Sequence, residues 1–401
     1  MTVTGGQERS GTRRSSPDGR APGTVTHTAV VGAGVAGLAV TRMLDAQDVP
    51  VLAFDRNDGV ADVWRERYDG LRLNSVRWLS QMPDMPLPRR YGRWVTRDQF
   101  VEYLTEYAEP VRRRIRTGID VRRIRRGSLS RWELETDAGM VAAHHVVLCT
   151  GLYRQPWIPD WPGRGEFHGR LEHASAYRRP SDYEGEDVVV VGAGVSGVDI
   201  ASALLGRGSG SVTVAVRTSP HFLPREMWGV PLQNLSVGNR YLPLWLQDIG
   251  GNVIQRLSAG DLSRTALGRP RGGMFTRLQR TGVSPSVDDG VFLPAVRSGR
   301  IRVIGEVTGL HAKGVVTADG EEHSADTVLA STGYRTGLDS LLESVPVLDS
   351  SGVPPLSRPA TRALADAGLH FVGYVSPLTG HLREIGLRAR WVARAIAAEP
   401  R

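Results

Sequence analysis

One pattern occurs twice in this chain and limits what it can fold into. At Gly32-Ala-Gly-Val-Ala-Gly37 and again at Gly192-Ala-Gly-Val-Ser-Gly197, a short apolar run meets three glycines spaced G-x-G-x-x-G. Thr28 to Val31 and Val188 to Val191 read as the strands that enter the turns. A helix follows each, to about Ala46 in the first copy and over Val198 to Leu205 in the second, and then a second strand, Val51 to Phe54 or Val212 to Val216. Strand, glycine turn, helix and strand in this order form the dinucleotide-binding unit of a parallel sheet. Its first glycine permits the tight turn and its second lets a pyrophosphate reach the backbone. Its third lets the helix pack closely, with the helix N-terminus facing the phosphates. Two such units predict an α/β protein with two Rossmann-like dinucleotide-binding domains.

The residues after the second strands separate the two sites. Asp55 ends the strand of the first unit, where a carboxylate accepts hydrogen bonds from ribose hydroxyls. In the second unit Arg217 and Thr218 stand there instead, and a guanidinium reads a 2′-phosphate that a carboxylate would repel. Two nucleotides in one chain suggest a hydride donor with an acceptor, so FAD is expected at the first site and NADPH at the second. A quieter repeat supports two domains: Val146 to Leu148 runs into Thr150-Gly151 as Val328 to Ala330 runs into Thr332-Gly333. The expected division is a flexible tail over 1–26, an FAD domain over 27–165 and 325–401, and an inserted NADPH domain over 166–324. A helix from about Leu382 to Ala398 begins after Pro377-Leu-Thr-Gly380, where its N-terminus would favour negative charge on a reduced flavin.

Composition narrows the class. The formal charge of +8 raises nucleic acid as a partner. Lys313 is the only lysine, however, and the arginines are scattered without aromatic interleaving, so no nucleic acid is expected. The densest run, Arg112 to Arg126, reads as a solvated surface. No stretch approaches the roughly 18 uninterrupted apolar residues of a membrane span, and the first residues lack the apolar centre of a signal peptide. The expectation is a cytoplasmic protein without a membrane partner. A single cysteine, Cys149, rules out an internal disulfide and a Cys-Cys redox pair, and its place inside an apolar strand makes it a small core residue. No metal-ligand spacing occurs, and nothing in the sequence indicates an oligomeric state.

Between the two units, Phe167-His-Gly-Arg-Leu-Glu-His-Ala-Ser-Ala-Tyr-Arg178 reads F-x-G-x-x-x-H-x-x-x-Y-R. This resembles the identifying motif of the flavin-containing monooxygenases, whose Baeyer-Villiger relatives usually carry Trp where Tyr177 stands. Trp64, Tyr68 to Leu73, Pro83 to Pro88, Gln99 to Tyr103, Phe222 to Glu226 and Arg269 to Arg271 look like the YUCCA-type branch. Asn74 departs from it, since plant YUCCA enzymes typically have His there. It matches instead the asparagine that other members place beside flavin and nicotinamide.

The resemblance implies an NADPH- and O2-dependent monooxygenase that oxygenates a small organic substrate through a C4a-hydroperoxyflavin. Tyr177 favours oxygenation at N or S, with Baeyer-Villiger chemistry or oxidative decarboxylation of a keto acid as the alternative, and an electron-transfer reductase as a different class. Asn74 is the expected catalytic residue. The expected cofactor contacts are Gly32, Gly34, Val35, Ala36, Gly37, Asp55, Arg56, Val63, Trp64, Asn74, Ser75, Thr150 and Gly151, then Gly192, Gly194, Ser196, Gly197, Arg217, Thr218 and Gly333. His173 reads as a hydrogen-bonding residue of the linker. Residues 227–295, poor in motifs, either cover the substrate or pad the NADPH domain.

Overall fold

Strand β1 (Thr24–Val31) runs into the first glycine turn, helix α1 (Val35–Asp45) and strand β2 (Val51–Phe54) in the computed structural model, which describes residues 23–127, 130–206, 209–239, 241–350, 352–355 and 357–399. Most of the expected tail lies outside the described residues. Its last part does not: Thr24 to Thr26 already pair with Val141 to Ala143, so the sheet begins before residue 27. Helix α2 (Arg97–Ala108) follows, started by a capping box in which Thr96 accepts from the Gln99 amide. Four more strands then complete the first half: β3 (Ile115–Arg116), β4 (Val121–Arg126), β5 (Trp132–Thr136) and β6 (Gly139–Leu148).

The sheet order is β3-β2-β1-β6-β5-β4. The Arg112 to Arg126 run thus contains an edge strand, β4, whose pattern buries Val121 and Ile124 and exposes the arginines. Alternation along β1 divides the core in two. Val30 faces a cluster with Leu38 and Val40 of α1 and Phe100 and Tyr103 of α2. Ala29 and Val31 face the other side, with Trp132, Leu134 and Leu338.

The second sheet is all parallel. It contains β7 (Arg170–His173), β8 (Asp187–Val191), β9 (Ser211–Ala215), β10 (Ile301–Ile304) and β11 (Thr327–Ala330), with helix α3 (Val195–Leu204) after the second glycine turn. Its order is β10-β9-β8-β11-β7. Both faces are covered, as a parallel sheet requires. Val188 and Val190 pack under α3, while Val189 and Val191 pack with Trp161, Leu310 and Val315. Strand β11, expected beyond a return at residue 325, pairs with β7 and β8 in this sheet. The chain returns later, through β12 (Leu369–Phe371), which pairs with β6, and α4 (His381–Ala397), which lies along α1. The two crossings meet: Gln155–Pro156 and Tyr334–Arg335 form an antiparallel pair.

At the start of the first sheet lies a histidine cluster. The His145 ring is 5.1 Å from His27 and 5.6 Å from His370, and His370 Nε2 is 3.4 Å from His145 Nδ1. Burial pushes His145 and His370 well below the usual imidazole range. Glu399 opposes this at His145, and Arg131, His27 and His144 reinforce it. A histidine held neutral contributes stability that is present above its unfolded pKa, about 6.5, and is lost as pH falls toward the folded value. The thermal midpoint should therefore drop between pH 7 and pH 5, and His370→Asn should flatten that part of the profile. Calorimetry of both proteins across this window checks it, and an identical slope in the variant would refute the assignment.

Candidate active site

The two glycine turns are built alike. Gly32 has φ +93° and Gly192 φ +108°, a region that glycine enters without strain. A Cβ on Gly37 would stand 1.8 Å from the Gly32 carbonyl oxygen, and one on Gly197 1.9 Å from that of Gly192. Neither position accepts a side chain. At Gly34 and Gly194, by contrast, a Cβ would meet nothing within 4 Å. These two glycines sit at the N-caps of α1 and α3, so the backbone beside each helix start is open to a pyrophosphate. The Thr-Gly turns close the other side: Cys149 O lies 2.9 Å from the Cβ position of Gly32, and Ser331 O lies 2.6 Å from that of Gly192. Cys149 itself is buried, which drives its thiol pKa up and keeps it unreactive.

Asp55 stands where expected. One carboxylate oxygen accepts from the Ala33 amide at 2.6 Å and the other from Asn57 at 2.9 Å. Burial raises its pKa against these hydrogen bonds, and each oxygen keeps a lone pair for a hydroxyl. Arg56 reaches the Arg154 carbonyl at 3.4 Å. Trp64 packs edge-on against Phe100 at 4.6 Å, while its neighbour Val63 is exposed. Thr150 shares a hydrogen bond with Tyr374 at 2.8 Å, tying the first Thr-Gly turn to the returning chain. In the second unit Gly194, Ser196, Arg217 and Thr218 are all exposed, and Arg217 stands 3.9 Å from Glu306. These two sets follow the two sheets, and Gly333, just after β11, belongs with the second, where His173 Nε2 at the end of β7 lies 2.8 Å from its carbonyl. His173 Nδ1 accepts from the Ser175 amide at 3.0 Å, so the ring proton is on Nε2 and donates to Gly333. His173 is a hydrogen-bonding residue, but it ends strand β7 inside the second sheet and is not in a linker.

Asn74 is exposed, and its Oδ1 accepts from Arg225 at 2.9 Å. Guanidinium only donates, so the amide's orientation is fixed and its NH2 is left to donate. Arg225 is in turn held by Asp289 at 2.9 Å and lies over Trp94. Ser75 bonds instead to Ser80 at 2.6 Å. In the sequence Arg225 stands out only as part of Phe222 to Glu226, and no local signal points to its partner 151 positions away.

A second link was also missed. Tyr68 donates to Asp199 Oδ2 at 2.8 Å, joining the first unit to α3. Its sequence signal was an acid in an otherwise apolar helix. The helix Leu232–Asn239 adds further ties, from inside the motif-poor segment. Gln233 accepts from the Val76 amide at 2.8 Å, Asn234 from Trp78 at 3.0 Å, and Ser236 donates to the Leu378 carbonyl at 3.1 Å. This part of the segment therefore lies against the first unit, beside Asn74 and the start of α4. Among the described residues no cluster of His, Cys, Asp or Glu is arranged to hold a metal ion, and no helix is long and apolar enough to cross a membrane.

Comparison with known proteins settles the family. Residues 25–399 match the model of the flavin-binding monooxygenase-like family. The chain belongs to that family. It is 34% identical over 318 residues to indole-3-pyruvate monooxygenase YUCCA1 of Oryza sativa subsp. japonica, covering 78% of both chains. It is 32% identical to the probable indole-3-pyruvate monooxygenase YUCCA1 of Arabidopsis thaliana, covering 86% of this chain and 84% of that one. In structure it is similar to a flavin-containing monooxygenase from Stenotrophomonas maltophilia, with a TM-score of 0.71 at 20% identity over 94% of this chain and 99% of the other. The protein is a flavin-dependent monooxygenase, and FAD and NADPH are the cofactors of its family.

Burial lifts the Asp199 carboxyl to about 6; Tyr68 and Arg225 lower it and Asp289 raises it. An acid raised in this way favours the folded state at low pH, and that contribution is lost as pH rises through 6. Asp199→Asn keeps an acceptor for Tyr68 and removes the buried charge. At pH 8 it should gain up to about 3 kcal/mol of stability over wild type and at pH 4 almost none. Denaturant titrations at both pH values measure this, and an equal effect at both would show that Asp199 does not titrate in the link.

Proposed function

We propose that the first glycine turn holds FAD, the second holds NADPH, and the cleft beside Asn74 is where one atom of dioxygen enters a small organic substrate. The observation that carries this reading is the pair of glycine cradles, alike in shape but ending in opposite charges, Asp55 in one and Arg217 in the other. Hydride acceptance and the activation of oxygen are what a flavin supplies at such a place.

The chain's own residues hold, orient and shield. Helix α1 is buried along most of its length, which suits a resident cofactor, whereas the exposed Gly194 and Ser196 suit one that exchanges. The Asn74 amide donates from its NH2 without titrating, and Arg225 keeps it turned that way. The helix Leu232–Asn239 helps to exclude water on that side, through its bonds to Val76, Trp78 and Leu378.

For the oxygen acceptor, N or S oxygenation rested on Tyr177. Its ring packs between Tyr68 at 5.7 Å and Tyr183 at 5.6 Å and is buried, so it bears on the joint between the units. The relatives named for indole-3-pyruvate favour the second reading, attack on the carbonyl carbon of a 2-oxo acid. Oxygen and NADPH consumption with indole-3-pyruvate, set against a panel of thioethers and tertiary amines with product analysis, decides between them. Turnover of sulfides or amines alone would overturn the 2-oxo acid reading.

Two variants test the site. Arg217→Ala should weaken NADPH roughly tenfold or more relative to NADH, because only NADPH carries the phosphate a guanidinium reads. Parallel titrations of flavin reduction by the two nucleotides give the ratio, and an equal loss for both would assign Arg217 another role. Asn74→Ala should leave flavin content unchanged while the rate of peroxide release rises roughly 5- to 150-fold, the loss of one hydrogen bond worth about 1 to 3 kcal/mol. Arg225→Ala should follow in the same direction more weakly. Unchanged coupling in Asn74→Ala would remove the residue from the reaction.

A further inference from the structure

The helix Leu244–Ala259 is amphipathic the wrong way round for a surface helix in water. Two of its polar side chains, Asp248 and Gln255, turn inward, while Asn252, Arg256 and Ser258 are exposed. Asp248 accepts from the amides of Phe275 and Thr276 at 2.7 and 3.1 Å, and Gln255 accepts from the Phe222 amide at 3.0 Å. Gly251 lies so close to the helix Met274–Thr281 that a Cβ would stand 2.8 Å from the Phe275 ring. The apolar residues point out. Trp245, Ile249, Val253 and Leu257, one every four residues, are 64%, 52%, 52% and 66% exposed, and Leu242 and Leu246 flank them. Such spacing puts them on one face, about 18 Å long at 1.5 Å per residue. A continuous exposed apolar stripe of this kind marks a docking surface.

We infer that this face docks on an anionic lipid surface, lying in the interface without crossing it. Charge selects the occupant. Between residues 232 and 283 the sequence has seven arginines and two aspartates. Arg256, Arg264, Arg269, Arg271 and Arg280 are exposed, while Asp248 is committed to its helix cap and Asp261 faces Arg264 at 3.6 Å. An apolar stripe with a large aromatic residue and a surplus of arginines is the composition that binds anionic headgroups. A second copy fits less well, because the same positive surface would face itself. One helix face of this length also falls far short of the roughly 1,200 Å² a specific interface needs.

The test is flotation of the full-length, FAD-loaded protein with vesicles of phosphatidylcholine alone and of phosphatidylcholine with phosphatidylglycerol. Recovery with the anionic vesicles should be about tenfold higher and should fall as salt is raised. Ile249→Asn with Val253→Asn should remove about nine-tenths of that binding with flavin content and NADPH oxidation unchanged. Trp245→Ser, made separately, guards against misfolding of the double variant, and Arg264→Gln with Arg269→Gln should weaken binding to anionic vesicles alone. Failure to float on either vesicle, or flotation that survives these apolar substitutions, overturns the proposal. So does a dimer in solution that the same substitutions split, which would assign the face to a second copy.

Discussion

Everything in the two nucleotide sites depends on a carbonyl oxygen pressed against a glycine Cα. With Gly37 and Gly197 each closing on the carbonyl of the first glycine in its turn, the helix starts within reach of the strand end. The open N-cap glycine is thereby aimed outward at the carboxyl end of the sheet. A third strand is fixed by the same contact, because the carbonyls of Cys149 and Ser331 press on Gly32 and Gly192 from the other side. The Thr-Gly turns at 150–151 and 332–333 follow directly. Once these contacts are set, the two turns share one shape, and what ends the neighbouring strand, Asp55 in one and Arg217 in the other, gives them opposite charge.

The stretch from Phe167 to Arg178 gains a physical meaning as a joint. The Phe167 ring and the Asp326 carbonyl crowd Gly169, where a Cβ would meet each at 2.4 Å. His173 donates to the Gly333 carbonyl, Tyr177 fills the space between Tyr68 and Tyr183, and the Arg178 carbonyl accepts from the Asp69 amide at 2.8 Å. Of these residues, Tyr177 and Arg178 fasten the second unit to the first, while Gly169 and His173 tie the ends of β7 to the chain on either side of β11. None of them needs to meet a substrate for the motif to matter.

The local features were legible in the sequence, because a glycine turn, its flanking strands and the residue after them lie within some two dozen positions. Asn74 was legible only through resemblance, since an asparagine in a loop is otherwise an ordinary turn residue. What sequence could not supply was pairing across distance. Tyr68 and Asp199 are 131 positions apart and Asn74 and Arg225 are 151 apart, and neither pair has a spacing rule. The place of β11 was misjudged for a related reason. An apolar run before a Thr-Gly turn fits either parallel sheet equally well, and only the register with β7 and β8 decides.

Two of the cross-unit hydrogen bonds, Arg225 to Asn74 and Tyr68 to Asp199, differ in kind, and the difference bears on how the units can behave toward each other. Asn74 has no titratable group, so that contact sets a guanidinium against a neutral amide. Tyr68 and Asp199 are different, because burial places the carboxyl within reach of titration near neutrality. Below that point Asp199 is a neutral acid and the buried link carries no charge. Above it, the carboxylate is stabilised chiefly by the Tyr68 hydroxyl and the nearby Arg225. Arg225 is thus common to both links, facing Asp289 and Asn74 directly and Asp199 through its field. A movement of one unit that withdrew Arg225 from Asn74 would leave Arg225 beside Asp199, since both belong to the second unit, and would part Asp199 from the Tyr68 hydroxyl instead. The orientation of the amide in the cleft and the protonation of a carboxyl on the second glycine helix are therefore coupled through the joint between the units, where Asn74 and Tyr68 of the first meet Arg225 and Asp199 of the second.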